Sequence, residues 1–193
     1  MAKLHFFYSS MNAGKSTALL QSNHNFEENN LSTILFLPQP NKKNNQVNIT
    51  SRIGIQRKAV AADKNFNFLS YVKKYNSKKL KCIFVDEAQF LKEDQVNQLS
   101  NIVDDLNITV MCYGLRTDFK GNLFEGSSRL LSIADNLHEL KTICSYCTDK
   151  ATMTIRIDQD GIANTKGMPI NTSSKDIYKP VCRYHFKKMT ALF

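Results

Sequence analysis

The chain has 193 residues, a formal net charge of +9 and five cysteines. No stretch reaches the ~20 apolar residues of a membrane-spanning helix, and the first three residues lead into an apolar run rather than a signal peptide. The paired lysines are scattered, which favours a solvated basic surface over a nucleic-acid groove. We therefore expect a soluble, cytoplasmic protein with one well-buried domain and a small appendage, whose cysteines are thiols or metal ligands.

The first predicted element is a strand over residues 4–8, which leads through residues 9–16 into a helix starting near Thr17. A strand, a tight turn ending in Gly-Lys-Ser and a helix form a phosphate cradle, in which Lys15 and Ser16 reach the outer phosphates and Mg²⁺. The usual pattern begins with Gly where this chain has Ser9, and the alternative is a helix N-cap beside an exposed lysine. The candidate ATP-binding residues here are Ser9, Ser10, Met11, Asn12, Ala13, Gly14, Lys15 and Ser16.

From residue 17 to residue 142, short apolar runs typical of strands alternate with stretches of helical periodicity. The predicted elements are a strand over 32–37, a mobile polar loop over 41–48, a helix over 67–72, a strand over 80–85, a helix over 92–106 and a strand over 108–113. Residues 51–55 fit no element clearly. Alternating strands and helices predict a parallel sheet covered on both faces, so residues 1–142 are expected to form an α/β nucleotide-binding domain of the P-loop NTPase, RecA-like class.

Two acids, Asp86 and Glu87, follow the predicted strand over residues 80–85. Ligands of α/β folds bind at the carboxyl edge of the sheet. In a phosphate-loop protein, one acid there holds Mg²⁺ and the next can take a proton from the attacking oxygen. The alternative is solvated charge at a strand-to-loop boundary. Residues 113–121 begin at the end of the next strand, on the same edge of the sheet. Two interpretations of this segment remain open: it lines a pocket, or it forms an exposed turn.

The last part of the chain, residues 143–193, has short polar stretches and a strand-like run over 151–157. It contains one Cys-x₂-Cys pair and one Cys-x₂-His pair, separated by 34 residues, which are the ligand types that tetrahedral Zn²⁺ accepts. Four protein ligands leave no open position, so the zinc would be structural; free cysteines packed as small hydrophobes are the alternative. The predicted ligands of this zinc-stapled β lobe are Cys144, Cys147, Cys182 and His185.

The other two cysteines, Cys82 and Cys112, fall inside predicted strands. A free cysteine behaves as a small hydrophobic residue. We therefore expect both in the core of the sheet.

Together, residues 9–16, 86–90 and 113–119 and the two metal pairs occur in the order found in thymidine kinases of the cytosolic, zinc-containing type II family. The chain resembles the bacterial branch of that family over nearly its whole length, because Ser-x-Met-Asn-Ala-Gly-Lys-Ser-Thr replaces a loop that begins with Gly. The resemblance implies ATP-dependent phosphorylation of the 5′ hydroxyl of thymidine, a salvage step in DNA precursor synthesis.

The resemblance also implies roles for individual residues. Glu87 would be the general base, Ser16 and Asp86 would serve Mg²⁺, and Asp86 and Gln89 would join the ATP site. The thymidine contacts would be Met11, Leu115, Phe119, Thr154 and Tyr178, beneath a lasso-like loop between the zinc pairs. A homotetramer and feedback inhibition by thymidine triphosphate are further implications. The scattered bases and the lack of a long apolar stretch lead us to expect no nucleic-acid or membrane partner.

Two departures from the family pattern concern loops. Related enzymes often have an Asp-x-Arg or Asp-Asp-Arg element where this chain has Asn41-Lys42-Lys43, and an Ile-Gly-Gly in the lasso where it has Asn171-Thr172-Ser173-Ser174. We therefore expect the auxiliary phosphate contact and the backbone of the lasso to differ from those of related enzymes. Two rival functions stay open on the residues alone: a nucleic-acid-stimulated ATPase, and a zinc-stapled nucleotide sensor without turnover.

Overall fold

A seven-stranded sheet, parallel except at one edge, carries the fold. The computed structural model describes residues 1–39, 46–75, 79–167 and 177–192. Across these ranges, none of the helices combines the length and apolar character that a bilayer crossing requires. The strands of the large sheet are Leu4–Ser9 (β1), Ser32–Pro38 (β2), Gln46–Thr50 (β3), Gln56–Ala62 (β4), Leu80–Val85 (β5), Thr109–Leu115 (β6) and Asn136–Glu139 (β7). The helices around it are Lys15–Glu28 (α1), Phe68–Tyr75 (α2), Glu93–Leu106 (α3) and Glu125–Ile133 (α4).

The strand order is β3-β4-β2-β5-β6-β1-β7. β1 and β6 are parallel neighbours in which Ser9 is in register with Leu115, and β5 lies on the other side of β6. The carboxyl ends of β1, β5 and β6 are therefore side by side at one edge. This confirms the predicted α/β class and places the phosphate loop and the acidic pair together.

Apolar residues cover both faces of the central strands, as expected for a parallel sheet. On one face, Phe6 and Phe36 pack beneath α2 and α3; on the other, Leu19 of α1 packs against Phe84. Burying one such side chain contributes about 1.5–3 kcal/mol to folding. Cys82 and Cys112 are fully buried, which confirms that they are core residues; they lie in β5 and β6, respectively.

The edge formed by β3 and β4 differs from the prediction. β3 occupies part of the loop predicted over residues 41–48, and it pairs antiparallel with β4 through a turn at residues 51–55. The sheet is therefore parallel, as predicted, except for this one antiparallel pair at its edge. The reason is a short period-two pattern within a polar stretch: Val47 and Ile49 alternate with polar residues and pack onto the face that α1 covers. Asn41-Lys42-Lys43 lie outside the described residues.

A second sheet consists of Met153–Ile157 (β8) and Ile177–Val181 (β9), paired antiparallel and followed by helix Arg183–Thr190 (α5). Ile155, Val181 and Phe186 form its small core, which confirms the strand predicted over 151–157. The predicted loop to residue 179 was wrong from Ile177 onward, because β9 begins there. Asn171-Thr172-Ser173-Ser174 lie outside the described residues.

Candidate active site

The loop between β1 and α1 has the backbone of a phosphate cradle. Asn12 and Gly14 adopt the left-handed conformation, with φ of 63° and 74°. Asparagine and glycine tolerate this conformation better than other residues. Ser9, which stands in place of the usual glycine, is not among the positive-φ residues that the described ranges contain. The loop therefore accommodates a side chain at this position without strain.

The side chain of Lys15 folds back onto the loop between β1 and α1. Its Nζ donates to Ser9 Oγ and to the carbonyl oxygen of Ser10, both at 2.9 Å. Burial lowers the pKa of the ammonium to about 8, and the nearby carboxylates of Glu87 and Asp86 oppose this shift. Lys15 thus remains mostly protonated at pH 7 and provides a cation at the base of the loop.

Ser16 and Asp86 form the candidate magnesium site. Ser16 Oγ donates to Asp86 Oδ2 at 2.7 Å, and the backbone N–H of Glu87 donates to Asp86 Oδ1 at 3.0 Å. Burial, with a contribution from Glu87, raises the pKa of Asp86 to about 6, while the Ser16 hydroxyl acts in the opposite direction. Hydroxyl and carboxylate oxygens are the ligands that Mg²⁺ prefers, so this donor set fits the metal of a magnesium–nucleotide complex.

Glu87 is held in an unusual backbone conformation directly after β5. Its φ of 50° and ψ of 36° are left-handed, which costs a residue with a Cβ about 1–3 kcal/mol. Gln89 Nε2 donates to Glu87 Oε2 at 2.5 Å, and Gln89 Oε1 accepts from the N–H of Leu115 at 3.0 Å. The amide of Gln89 is therefore occupied at both ends and fixes the direction of the Glu87 carboxylate.

Two glycines allow β6 and α4 to pack closely against the turn that follows Glu87. A Cβ on Gly114 would lie 2.9 Å from Gln89 Oε1, and one on Gly126 would lie 2.5 Å from the carbonyl oxygen of Ala88. Gly126 belongs to α4, which packs on the short helical turn Ala88–Phe90 that follows Glu87. Neither position has room for a side chain, so β6 and α4 approach the turn closely enough to hold it.

Two cavities meet at Glu87. The larger, of about 400 Å³, lies between the phosphate loop and the turn that joins β3 to β4. The smaller, of about 200 Å³, lies between the ends of β5 and β6 and the β8–β9 pair. Met11, Glu87 and Leu115 line both cavities. A carboxylate at such a junction can contact a group bound in either cavity.

The smaller cavity contains all five residues predicted to contact thymidine, namely Met11, Leu115, Phe119, Thr154 and Tyr178. Thr154 Oγ1 accepts from the N–H of Met11 at 3.2 Å, and the guanidinium of Arg156 lies 4.0 Å from the centre of the Phe119 ring. The Tyr178 hydroxyl is buried and has no hydrogen-bond partner in the part of the chain that the structure describes. The cavity thus combines apolar walls with a buried hydroxyl that can bond a ligand.

The predicted phosphate-binding residues divide into three positions. Six of them line the larger cavity, namely Met11, Asn12, Ala13, Gly14, Lys15 and Ser16. Ser9, Ser10 and Asp86 are buried close to it, with exposed fractions of 4–6%. Gln89 lines the smaller cavity instead, so its contact with ATP stays a prediction.

Several lining residues were missed by sequence reasoning. Phe90 and Phe124 line the smaller cavity, with ring centres 6.0 Å apart. Each stands beside a leucine in an otherwise mostly polar stretch, and this apolar pair is a signal that could have predicted it. Thr50, Arg52 and Ile53 line the larger cavity, and their place depends on the β3–β4 pairing that the sequence did not reveal.

The predicted metal ligands come together in the small lobe. One ligand atom from each of Cys144, Cys147, Cys182 and His185 lies within 4.8 Å of the others. The Sγ atoms of Cys147 and Cys182 are 3.8 Å apart, and His185 Nδ1 lies 3.6 Å and 3.3 Å from the Sγ atoms of Cys144 and Cys182. A tetrahedral zinc with ordinary bond lengths requires about 3.8 Å between sulfurs and about 3.5 Å between sulfur and nitrogen. The four residues therefore fit a structural Zn²⁺.

The small lobe is attached to the phosphate loop through β8 and the residues before it. Besides the bond from Met11 to Thr154, Ser10 Oγ donates to the carbonyl oxygen of Ala151 at 3.5 Å. Arg116 Nη2 donates to the carbonyl oxygen of Thr152 at 2.9 Å. The small lobe thus supports the loop from the side and lines the smaller cavity.

Comparison with known proteins gives consistent matches along the chain. A family model described as "Thymidine kinase" matches residues 2–186. A protein named thymidine kinase from Mannheimia succiniciproducens is 48% identical over 191 residues, covering 98% of this chain and 97% of the relative. One of the same name from Pasteurella multocida is 47% identical over 193 residues, the whole of both chains. Another, from Rhodopirellula baltica, is 48% identical over 189 residues, covering 97% of this chain and 89% of the relative.

Proposed function

The chain belongs to the thymidine kinase family, and on that premise we propose that it transfers the γ-phosphoryl group of ATP to the 5′ hydroxyl of thymidine. The observation that carries the proposal is the junction of the two cavities at Glu87. With a triphosphate in the larger cavity and a nucleoside in the smaller, the attacking oxygen and the terminal phosphorus meet beside this carboxylate. The γ-phosphoryl group then passes directly from ATP to the 5′ hydroxyl of thymidine.

The larger cavity holds the triphosphate of ATP in this proposal. The Lys15 ammonium and the N–H groups of the loop face the phosphate oxygens, as in other phosphate loops. Ser16 and Asp86 would hold Mg²⁺, which when bound neutralises charge on the β- and γ-phosphates. The positive backbone dipole at the start of α1 adds to the same attraction.

The smaller cavity holds the nucleoside. A pyrimidine with an apolar C5 methyl group suits walls formed by Leu115, Phe119 and the neighbouring aromatic rings. Tyr178 offers a buried hydroxyl to a polar group of the ligand. A ligand that left such a group unpaired would bind less tightly, which favours one nucleoside over its analogues.

Glu87 acts as the general base. As the 5′ oxygen forms its bond to the γ-phosphorus, the bond from phosphorus to the β–γ bridging oxygen breaks and ADP leaves. The proton of the hydroxyl passes to the Glu87 carboxylate, which Gln89 holds in place. Deprotonation and bond formation thus occur at one point between the two cavities.

The small lobe contributes structure rather than chemistry. Cys144, Cys147, Cys182 and His185 would hold Zn²⁺ with no position left for water, so its role is to stabilise the lobe. We propose residues 1–142 as the nucleotide-binding domain and 143–193 as the zinc lobe. Homotetramer formation, feedback inhibition by thymidine triphosphate and a cytoplasmic location stay predictions.

A panel of nucleosides incubated with ATP and Mg²⁺, read by product mass, tests the function. We expect thymidine monophosphate and ADP in equal amounts, with purine nucleosides and cytidine unreacted. A parallel incubation with single-stranded DNA in place of thymidine gives the matched control. ADP release that depends on the DNA and not on thymidine would contradict the proposal.

A further inference from the structure

The turn between β3 and β4 is a defined structure over the larger cavity. The N–H of Ser51 donates to the carbonyl oxygen of Ile55 at 2.8 Å, and Ser51 Oγ accepts from the N–H of Ile55 at 3.1 Å. Gly54 closes the turn with a φ of 88° and donates its N–H to the Ser51 carbonyl oxygen at 3.0 Å. The backbone that carries Arg52 is therefore fixed by the turn itself.

The hairpin is also anchored to the helix that begins at the phosphate loop. Ile49, in β3, is 1% exposed and belongs to the same apolar cluster as Leu19 and Leu20 of α1. The next residue, Thr50, lines the larger cavity together with Arg52 and Ile53. The packing of β3 on α1 thus holds this turn opposite the loop that α1 extends.

The charge on Arg52 has no protein counterion in the described ranges. Its side chain makes no ion pair or hydrogen bond there, whereas Arg57 on the adjoining strand pairs with Glu27 at 3.7 Å. Arg52 instead lines the same cavity as Lys15. Burial is the main cause of the lowered pKa of Lys15, and the charge of Arg52 adds a smaller effect in the same direction. Two cations across one cavity repel each other, and an anion bound between them reverses that cost.

We propose that Arg52 binds the phosphate chain of the nucleotide from the side opposite Lys15. Guanidinium groups form paired, charge-assisted hydrogen bonds with phosphate oxygens. Lys15 would hold the chain at the base of the cavity, and Arg52 would hold it at the rim. The identity of the nucleotide as ATP rests on the proposed function, but the anion contact itself does not.

The test is the affinity of Arg52→Ala for magnesium tripolyphosphate and for ATP, measured by titration calorimetry. Tripolyphosphate has the phosphate chain without the base and sugar. We expect both affinities to fall by roughly 10- to 100-fold, the effect of losing one or two charge-assisted hydrogen bonds. The KM for ATP should rise in parallel, while the KM for thymidine stays within about twofold.

Arg57→Ala is the matched control, since it removes the same charge from the same hairpin beyond the cavity. Its affinities should equal those of the wild type, and both variants should keep the wild-type unfolding temperature. Arg52→Lys keeps the charge without the paired geometry and should lie between wild type and Arg52→Ala. Unchanged tripolyphosphate affinity in Arg52→Ala overturns the inference. Wild-type protein that binds tripolyphosphate but does not phosphorylate thymidine would instead contradict the proposed function alone.

Discussion

Gln89 holds Glu87 through a hydrogen bond of 2.5 Å from its side-chain amide to the Glu87 carboxylate. The other end of the same amide accepts the N–H of Leu115 at the end of β6. The Glu87 carboxylate, which follows β5, is therefore also linked through Gln89 to the neighbouring strand β6. The direction of the proposed base and the packing of the sheet edge therefore depend on one buried side chain, that of Gln89.

Glu87→Gln should lower turnover by the roughly 10²–10⁴-fold typical of losing a general base. The amide keeps the size of the carboxylate but cannot accept the proton of the 5′ hydroxyl. Binding of ATP and thymidine, measured by calorimetry, should stay close to wild type. Lys15→Ala should behave differently, since it removes a phosphate contact and weakens ATP binding as well as turnover. Near wild-type turnover in Glu87→Gln would mean that another group takes the proton.

Gln89→Ala should reduce kcat by roughly tenfold, because the freed Glu87 carboxylate spends less time in its productive direction. The change also leaves the buried N–H of Leu115 without its acceptor, which costs about 1–3 kcal/mol of folding free energy. Steady-state kinetics and urea unfolding measure the two effects. Gln89→Glu is the informative partner, since it keeps an acceptor for Leu115 but places a second acid beside Glu87. Equal kcat in Gln89→Ala and wild type would remove the positioning role.

The pH profile of kcat/KM for ATP should be bell-shaped. Burial raises the pKa of Asp86 to about 6, so its carboxylate, and with it the magnesium site, is lost as pH falls below that value. Burial lowers the pKa of Lys15 to about 8, so its phosphate-binding charge is lost as pH rises above that value. In kcat, measured at saturating ATP and Mg²⁺, both limbs should move outward because bound ligand favours the charged forms. Limbs at the same pH in both profiles would contradict these assignments.

Asp86→Asn should stabilise the protein without ligand while it removes activity. The raised pKa means that the folded state disfavours the carboxylate, a cost that is present above about pH 6 and disappears as pH falls below the value of the unfolded chain. We expect a gain of about 1–3 kcal/mol at pH 7 and none at pH 4, measured by urea unfolding. Asparagine can still bond to Ser16, because the hydroxyl reorients. Equal stability of variant and wild type at pH 7 would show that solvent already relieves the buried charge.

Zinc removal should weaken ATP binding as well as the small lobe. A strong chelator removes the metal, and Cys147→Ser removes one of its ligands; the core of the lobe is too small to replace either. The hydrogen bonds from Ala151 to Ser10 and from Thr154 to Met11 should be lost as the lobe loosens. We expect a lower unfolding temperature and a reduced ATP affinity, both restored by added Zn²⁺ after chelation. Cys112→Ala gives the control for a buried cysteine away from the metal. Full ATP affinity in zinc-free protein would mean that the loop holds its shape alone.

The parts of this site that the sequence predicted are those encoded by short, local patterns. Gly14, Lys15 and Ser16 lie at the start of a helix that directly follows a strand, so neighbouring residues suffice to place them. Asp86 needed one further step, because parallel strands end at a common edge. The cluster of four predicted metal ligands needed only the spacing of the residues in two pairs.

The parts that the sequence did not predict depend on pairings between distant residues. The hold of Gln89 on Glu87 follows from its contact with Leu115, 26 positions away, which no local pattern contains. The position of Arg52 depends on the β3–β4 hairpin, whose apolar alternation is limited to Val47 and Ile49 within a polar stretch. α4 begins with Glu125, Gly126 and two serines, a poor helical sequence that the close packing of Gly126 on the turn after Glu87 makes favourable.

The attachment of β8 to the phosphate loop has a consequence for chimaeric proteins. Three hydrogen bonds join the two parts: Ser10 to Ala151, Met11 to Thr154 and Arg116 to Thr152. Two of the three are accepted by backbone carbonyl oxygens of the residues just before β8. A zinc lobe transplanted from a relative would therefore work only if its strand meets the recipient's loop at the same register. Grafts that shift this strand by one residue should still bind their metal and fold, but they should lose the kinase activity. The lobe and the phosphate loop would therefore have to be exchanged together.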